Sequence, residues 1–401
     1  MTEVWGLAAL WFALALGAVV LSIVLRIANA LSEIIIGIAA GALIGAATLG
    51  VDQSWIKFLA GAGAIILTFL AGAELDPVVF KAKWKEATAV GLVSFAAPFL
   101  GCAAAAYYLL DWSTEASWLA GVALSTTSVA VVYAVMLEFG FNRTTYGKTL
   151  LAACFITDLG TVLALGFIFS PFTYKTAVFF VAALAVCLLL PWLTTHLFAR
   201  HGNRSSEIEA KFLLLALFAL GALAAWADSE PVLPAYVAGM MLAGTVGRDH
   251  ALVRRLRTLC FGLLTPFYFI RAGAFVSIPA LIAAPVAFLI LLLSKLAAKS
   301  AGVYPVTKLF GSANPEAMYT TLLMSTGLTF GSISALYGLS HGIVDQSQYT
   351  LLILAVIASA VVPTLIANAY YLPHHLLPAA DEGSEATPVP TAVVGRAPRS
   401  R

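Results

Sequence analysis

Long apolar runs, interrupted at intervals by short clusters of charged, glycine, proline and small polar residues, cover the chain from residue 4 to about 372. A helix needs about 20 apolar residues, within a range of about 17 to 25, to cross the hydrocarbon core of a bilayer. On that ruler the punctuation predicts thirteen spans. They lie near residues 4–25, 33–49, 57–75, 87–110, 116–138, 148–169, 175–197, 209–227, 231–247, 256–276, 279–304, 315–339 and 346–372.

The basic residues test this count, because cytoplasmic connections collect Lys and Arg and exported ones do not. Odd-numbered connections and the C-terminal tail hold 18 of the 22 Lys and Arg, whereas even-numbered connections hold only Lys57 and Lys175. Arg271 and Lys295 lie inside spans. A missed or invented helix would scramble the alternation downstream of it. The pattern puts the N-terminus outside and the C-terminus in the cytoplasm, as expected of a multi-pass protein of the cell (inner) membrane. Glu3, with no basic cluster, precedes the first span, which therefore reads as a retained helix and not as a cleaved leader. The transmembrane part runs over 1–377. Residues 378–401 are rich in Ala, Pro and small polar residues, so disorder is expected there. A tail of that size is too small for a nucleotide-binding or regulatory domain, which needs roughly 50 residues.

Composition narrows the class. Hydrophobic side chains make up 61% of the chain and charged ones 10%, against about 45–50% and 25% in soluble domains. A water-soluble globule, a disordered chain, a disulfide scaffold and a coiled coil are all excluded. A net charge of +2 offers no basic field for nucleic acid. Cys102, Cys154, Cys187 and Cys260 sit in apolar runs without metal-type spacing, so they read as small buried hydrophobes, and no cofactor is expected.

Two hydroxyl-rich stretches interrupt otherwise apolar spans. They are Ser125-Thr126-Thr127-Ser128 in the fifth and Ser325-Thr326-Gly327-Leu328-Thr329 in the twelfth. The two positions are offset by seven spans, an odd number, so the second unit inserts upside down relative to the first, as in inverted-repeat transporters. Spans four to six would mirror eleven to thirteen, with the interrupted helices unwound near mid-depth and lining a cavity. The plainer reading is that Ser and Thr merely let helices approach closely.

Charge at membrane depth costs roughly 2.5–3.5 kcal/mol per residue on insertion scales, so each such residue is a candidate for function. Asp158 lies in the middle of the sixth span, able to hold a proton or a metal cation. Its alternative is a protonated acid bonded to a neighbouring helix for structure. Lys295, in the eleventh span, is the expected counter-ion or proton partner, with Lys299 one turn further on placed to snorkel to the headgroups. Arg271 stays charged and needs an acceptor, for a structural, gating or pathway role. Glu74 and Asp76 end the third span, and Glu33 begins the second behind a capping Ser32, all nearer the cytoplasmic side. Glu138 reads as a solvated helix end. His196, His201 and His250 read as loop residues.

The chain resembles the monovalent cation:proton antiporters of the Kef and NapA type. The resemblance rests on Ser32-Glu33-Ile34-Ile35-Ile36-Gly37-Ile38-Ala39-Ala40-Gly41, Phe69-Leu70-Ala71-Gly72-Ala73-Glu74-Leu75 and Ser125-Thr126-Thr127-Ser128-Val129-Ala130. Thr157-Asp158, Thr265-Pro266-Phe267-Tyr268-Phe269 and Lys295 complete it. It implies an all-α fold with two crossing discontinuous helices and a homodimer. A core of helices at about 87–169 and 279–372 would move like an elevator against a panel at about 4–75 and 175–276. By position Asp158 matches the carboxylate that carries the ion. Thr157 stands where the family has Asp, Asn or Gln, and an uncharged residue there is associated with electroneutral exchange. The twelfth span lacks the Arg and Glu of some relatives and carries Thr329, Phe330 and Ser332 instead.

The function expected is secondary antiport of a monovalent cation (Na+ favoured, K+ or Li+ possible) against H+. Asp158 would supply the charge at a Na+ site, and Thr157, Thr126, Thr127 and Ser128 would add oxygens, since hard cations need several. The rival is a sodium-coupled organic-anion carrier on a related scaffold, with Arg271 contacting the anion. An intramembrane hydrolase would need paired aspartates, Ser with His, or a metal motif at membrane depth, and the sequence has none. No enzyme is expected.

Overall fold

The computed structural model describes residues 2–25, 28–73, 77–141, 144–169, 173–201, 207–227, 229 and 231–376. Among them every regular element is helical. In chain order these are α1 (Thr2–Leu25), α2 (Asn29–Leu43), α3 (Ser54–Ala73), α4 (Pro77–Leu109), α5 (Thr114–Ser125), α6 (Val129–Glu138), α7 (Thr145–Phe169), α8 (Tyr174–His201) and α9 (Ile208–Trp226). There follow α10 (Val232–Leu242), α11 (His250–Leu259), α12 (Thr265–Ala274), α13 (Ile278–Ala283), α14 (Pro285–Leu309), α15 (Asn314–Met324), α16 (Thr329–Ser340) and α17 (Gln346–Ile366).

Nine helical stretches among the described residues are long and apolar enough to cross a bilayer, with α15 and α16 taken together. Each coincides with a predicted span. The other four predicted spans are irregular. The fifth is broken into α5 and α6, and the tenth runs as α11, a π-helical stretch Cys260–Leu264, and α12. The second and ninth are the short α2 and α10. With 11 residues, α10 extends only about 16 Å at about 1.5 Å per residue. The second helix also starts four residues earlier than expected, so Ser32 and Glu33 lie inside α2, buried, and Ser32 caps nothing. The sequence signal for that start failed because Asn29 opens the helix and donates its side-chain N–H to Glu33 Oε1 at 2.7 Å.

Some helix starts elsewhere are fixed by side-chain capping. Ser113 Oγ accepts the Ala116 amide ahead of α5, and Asp345 exchanges bonds with Gln348 ahead of α17. Two packing groups result. In one, α4 packs on α5, α7 and α14, while α14 packs on α15 and α17, and α16 on α5 and α17. The way α4 serves α5 and α7 thus recurs in the way α14 serves α15 and α17, as the paired hydroxyl stretches predict. In the other, α3 packs on α10 and α12, α2 on α1 and α12, and α8 on α9 and α10. Backbones touch in this second group. A Cβ at Gly37 would overlap the Ile270 carbonyl, and one at Gly72 the Tyr236 carbonyl. Small residues at such crossings permit the close helix contact that membranes favour. All four cysteines are buried and free.

Candidate functional site

The two broken helices cross at their breaks. Between α5 and α6, Thr126, Thr127 and Ser128 are extended or irregular, and between α15 and α16 the gap covers residues 325–328. The Ser128 amide donates to the Thr326 carbonyl at 3.1 Å, and Thr127 Oγ1 donates to the Met324 carbonyl at 2.9 Å. Each bond satisfies a carbonyl that its own helix leaves unpaired at the break. The crossing is therefore fixed by backbone groups freed by the breaks themselves.

Asp158 sits in the middle of α7 at 1% exposure. Its Oδ1 is buried and has no hydrogen-bond partner among the described residues. The carboxylate lines a cavity of about 500 Å³ shared with Thr127, Thr329, Phe330 and, from α3, Leu67 and Leu70. Arg257 lies on the wall of the same cavity. An acid at membrane depth thus lines a space that also reaches the crossed breaks.

The remaining candidates divide. Thr127 joins Asp158 on the cavity wall, but three of the expected oxygen donors point elsewhere. Thr126 Oγ1 donates to the Ala123 carbonyl, Ser128 Oγ accepts the Val131 amide, and Thr157 Oγ1 donates to the Gly91 and Ala153 carbonyls. Thr157 faces α4, away from the cavity. Ser and Thr hydroxyls near a helix break return readily to the carbonyl three or four residues back, and three of these follow that habit or cap the next helix.

The basic partner differs from expectation. Lys295 and Lys299 are both fully buried, so Lys299 does not snorkel to the headgroups. The Lys299 ammonium donates to Ser94 Oγ at 2.7 Å and to Thr127 Oγ1 at 3.0 Å, which places it beside the cavity that Asp158 lines. Lys295 is turned toward α17, donates to Ser359 Oγ at 2.9 Å, and lies beside Gly327 of the second break. Among the described residues neither lysine forms an ion pair with Asp158, and it is Lys299, not Lys295, that reaches Thr127 on the wall of the Asp158 cavity. The i, i+4 spacing places both on one face of α14. Ser94, which anchors Lys299 from α4, carried no sequence signal.

Arg271 finds the acceptor that the sequence did not identify. Its Nε donates to the Val51 carbonyl at 2.8 Å, its guanidinium stands 3.8 Å from Asp52, and it lies over the Phe275 ring. It lines a second cavity, of about 570 Å³, with Lys57, Tyr268, Tyr337 and His341. That cavity occupies the opposite ends of α3 and α16 from the first, and Asp158 does not line it. The anion contact required by the organic-anion alternative is thus held away from Asp158. Glu74 and Asp76 lie outside the described residues, as does the tail.

Comparisons with known proteins agree with this architecture. The chain is 24% identical over 374 residues to the probable Na+/H+ antiporter 3 of Methanocaldococcus jannaschii, covering 88% of this chain and 95% of that one. It is 25% identical over 374 residues to the glutathione-regulated potassium-efflux system protein KefC of an Enterobacter species, where the match covers 88% of this chain and 58% of that one. The sodium proton antiporter MjNhaP1 from Methanocaldococcus jannaschii superposes with a TM-score of 0.69 at 15% identity, over 91% of this chain and 97% of that one, a likeness of fold. The transmembrane sodium/hydrogen exchanger profile matches residues 12–370. With these proteins the present chain shares an all-helical membrane architecture, and it belongs to the sodium/hydrogen exchanger family.

Proposed function

We propose that this protein exchanges a monovalent cation, Na+ in preference to K+ or Li+, for H+, with Asp158 carrying the two ions in turn. The observation that carries the reading is the buried Asp158 carboxylate, with an unpartnered Oδ1, in a cavity shared with Thr127 at the crossed breaks. A hard cation needs oxygen ligands. Asp158 supplies the charge, and Thr127 and Thr329 stand on the same wall. Because one carboxylate serves both ions, they compete, and coupling needs no separate device. Relatives named for Na+/H+ exchange and for potassium efflux support the cation class. The uncharged Thr157 supports one proton per cation, hence electroneutral exchange.

Alternating access follows from the two cavities. They lie at opposite ends of the α3–α16 contact, and only one reaches Asp158. Sliding of the group built on α4–α7 and α14–α17 against the group containing α2, α3, α10 and α12 would carry Asp158 from one cavity to the other. In the orientation set by the basic loops the cavity bearing Arg257 opens to the cytoplasm, with the N-terminus outside, and a homodimer in the cell (inner) membrane would hold the second group still.

The test is Asp158→Asn in proteoliposomes. Exchange read by a pH-sensitive dye is expected to vanish while insertion is unchanged, and retained exchange would remove the carboxylate from the mechanism. In the unmodified protein the apparent Na+ affinity is expected to weaken as pH falls, because protons occupy the shared carboxylate; a pH-independent value contradicts competition. Solid-supported-membrane currents under sodium jumps separate stoichiometries, since electroneutral exchange gives a dye response without current.

A further inference from the structure

Where the two helix groups meet, α10 packs on α7, and Leu233 of α10 lies against Gly166 of α7. Apolar contact of this kind is non-directional, so it sets no particular register between sliding helices. Tyr236, one turn further along α10, makes a contact of another sort. It is fully buried, and its hydroxyl crosses between the groups and donates to the Phe155 carbonyl of α7 at 2.9 Å.

The residue is held firmly on one side and placed at the ion site on the other. A Cβ at Gly72 of α3 would overlap the Tyr236 carbonyl, so α3 and α10 are in backbone contact at this point. Across the interface, Phe155 stands three residues before Asp158 in α7. The Tyr236 ring also meets Phe330 edge-on, with centroids 5.6 Å apart, and Phe330 lines the Asp158 cavity. The ring therefore sits between the helix that carries Asp158 and the second broken helix.

A helix carbonyl has two lone pairs, so Phe155 accepts the tyrosine without giving up its place in α7. The bond belongs to one register only. Travel of a single helical turn, about 5.4 Å, carries the Phe155 carbonyl out of reach, and the hydrocarbon region offers no water to replace it. A like bond joins Tyr349 of α17 to the Ala272 carbonyl of α12 at 2.6 Å. That bond adjoins residues 275–284, where the chain passes from one group to the other and the covalent connection itself limits travel. Tyr236 instead acts beside Asp158, where movement exposes or hides the ion site.

We infer that Tyr236 is a positioning residue of the exchange cycle: its hydroxyl latches the group that carries Asp158 in the cytoplasm-open register, and the bond to Phe155 breaks each time that group slides toward the outside. The inference rests on the sliding proposed above. Tyr236 carries no ion; it acts through the position of Asp158.

The test reads sidedness. Val129 lines the Asp158 cavity, so Val129→Cys reports the side to which that cavity opens, and the four native cysteines are buried. A membrane-impermeant maleimide is applied to the outside of right-side-out vesicles and to the cytoplasmic face of everted ones, with equal Na+ and pH across the membrane. Tyr236→Phe keeps the ring and deletes the bond. The ratio of external to cytoplasmic labelling rates is expected to rise about fivefold, the worth of one net hydrogen bond. Tyr319→Phe is the control, because that hydroxyl bonds Asn368 at 3.2 Å within the moving group, and the ratio is expected to stay within about twofold. An unchanged or lower ratio in Tyr236→Phe, or an equal rise in Tyr319→Phe, overturns the latch, as does labelling from the cytoplasmic side alone in every variant. Absence of Na+/H+ exchange in the unmodified protein, with labelling from both sides present, would overturn the proposed ion chemistry instead and leave the latch standing.

Discussion

The two broken helices share a backbone device and differ in what their neighbours bring to it. At the first break α7 contributes a carboxylate, Asp158, and α14 contributes Lys299 through Thr127. At the second, α17 contributes only a hydroxyl, Ser359, and α14 contributes Lys295. Both breaks free backbone groups at membrane depth, where an unpaired polar group is expensive, and each has a buried ammonium beside it. Unwinding alone therefore does not make a cation site. In the proposed mechanism the carboxylate makes the difference, and the repeat supplies it once.

The largest expected difference between the two halves is at these partner residues. On the proposed mechanism Asp158→Asn is expected to abolish exchange and Ser359→Ala to retain it, because Ser359 bonds Lys295 and the Val356 carbonyl and does not line the Asp158 cavity. The serine variant instead loses stability by about 1–3 kcal/mol, since a buried ammonium is left short of an acceptor. Loss of exchange in Ser359→Ala with the fold intact would mean that the second break also belongs to the ion site.

The lysines give the next contrast. Lys299→Met is expected to slow exchange roughly ten- to hundredfold, because charge-assisted hydrogen bonds are worth about 1.5–3 kcal/mol and Lys299 holds Thr127, a hydroxyl on the wall of the Asp158 cavity. Lys295→Met is expected to change the rate far less, since Lys295 faces α17. Dye-monitored exchange in proteoliposomes, normalised to inserted protein, ranks the two. The reverse order would restore Lys295 as the partner of Asp158.

Much of this architecture is legible in the sequence, for identifiable reasons. Apolar length and the placement of Lys and Arg locate the spans, because both follow from the bilayer and not from tertiary contacts. The matched runs at Ser125–Ser128 and Ser325–Thr329 predict the two breaks, and Asp158 stands out because charge there is costly. What the sequence does not reveal depends on contacts between distant segments. Spacing puts Lys295 and Lys299 on one face, but the packing of α14 between α4 and α17 decides which reaches Thr127 at the first break. Arg271 finds its acceptors at Val51 and Asp52, some 220 residues away. The close backbone contacts of α2 with α12 at Gly37, and of α3 with α10 at Gly72, are likewise invisible to a count of apolar residues.

Within the first break itself, neighbouring hydroxyls sharpen the comparison to one atom. The Thr126 hydroxyl donates to Ala123, three residues back in its own chain, so it completes a local turn. The Thr127 hydroxyl has no such local bond; it crosses to the Met324 carbonyl, accepts from Lys299, and lies on the wall of the Asp158 cavity. Thr127→Val removes an oxygen the cation can use, an effect of about 1 kcal/mol or roughly fivefold in apparent Na+ affinity. Thr126→Val removes one the cation cannot reach and is expected to shift that affinity by less than about twofold. Sodium titrations of dye-monitored exchange at one fixed pH measure both. Equal effects from the two substitutions would show that cation affinity depends on the unwound backbone as a whole and not on the side chain that faces Asp158.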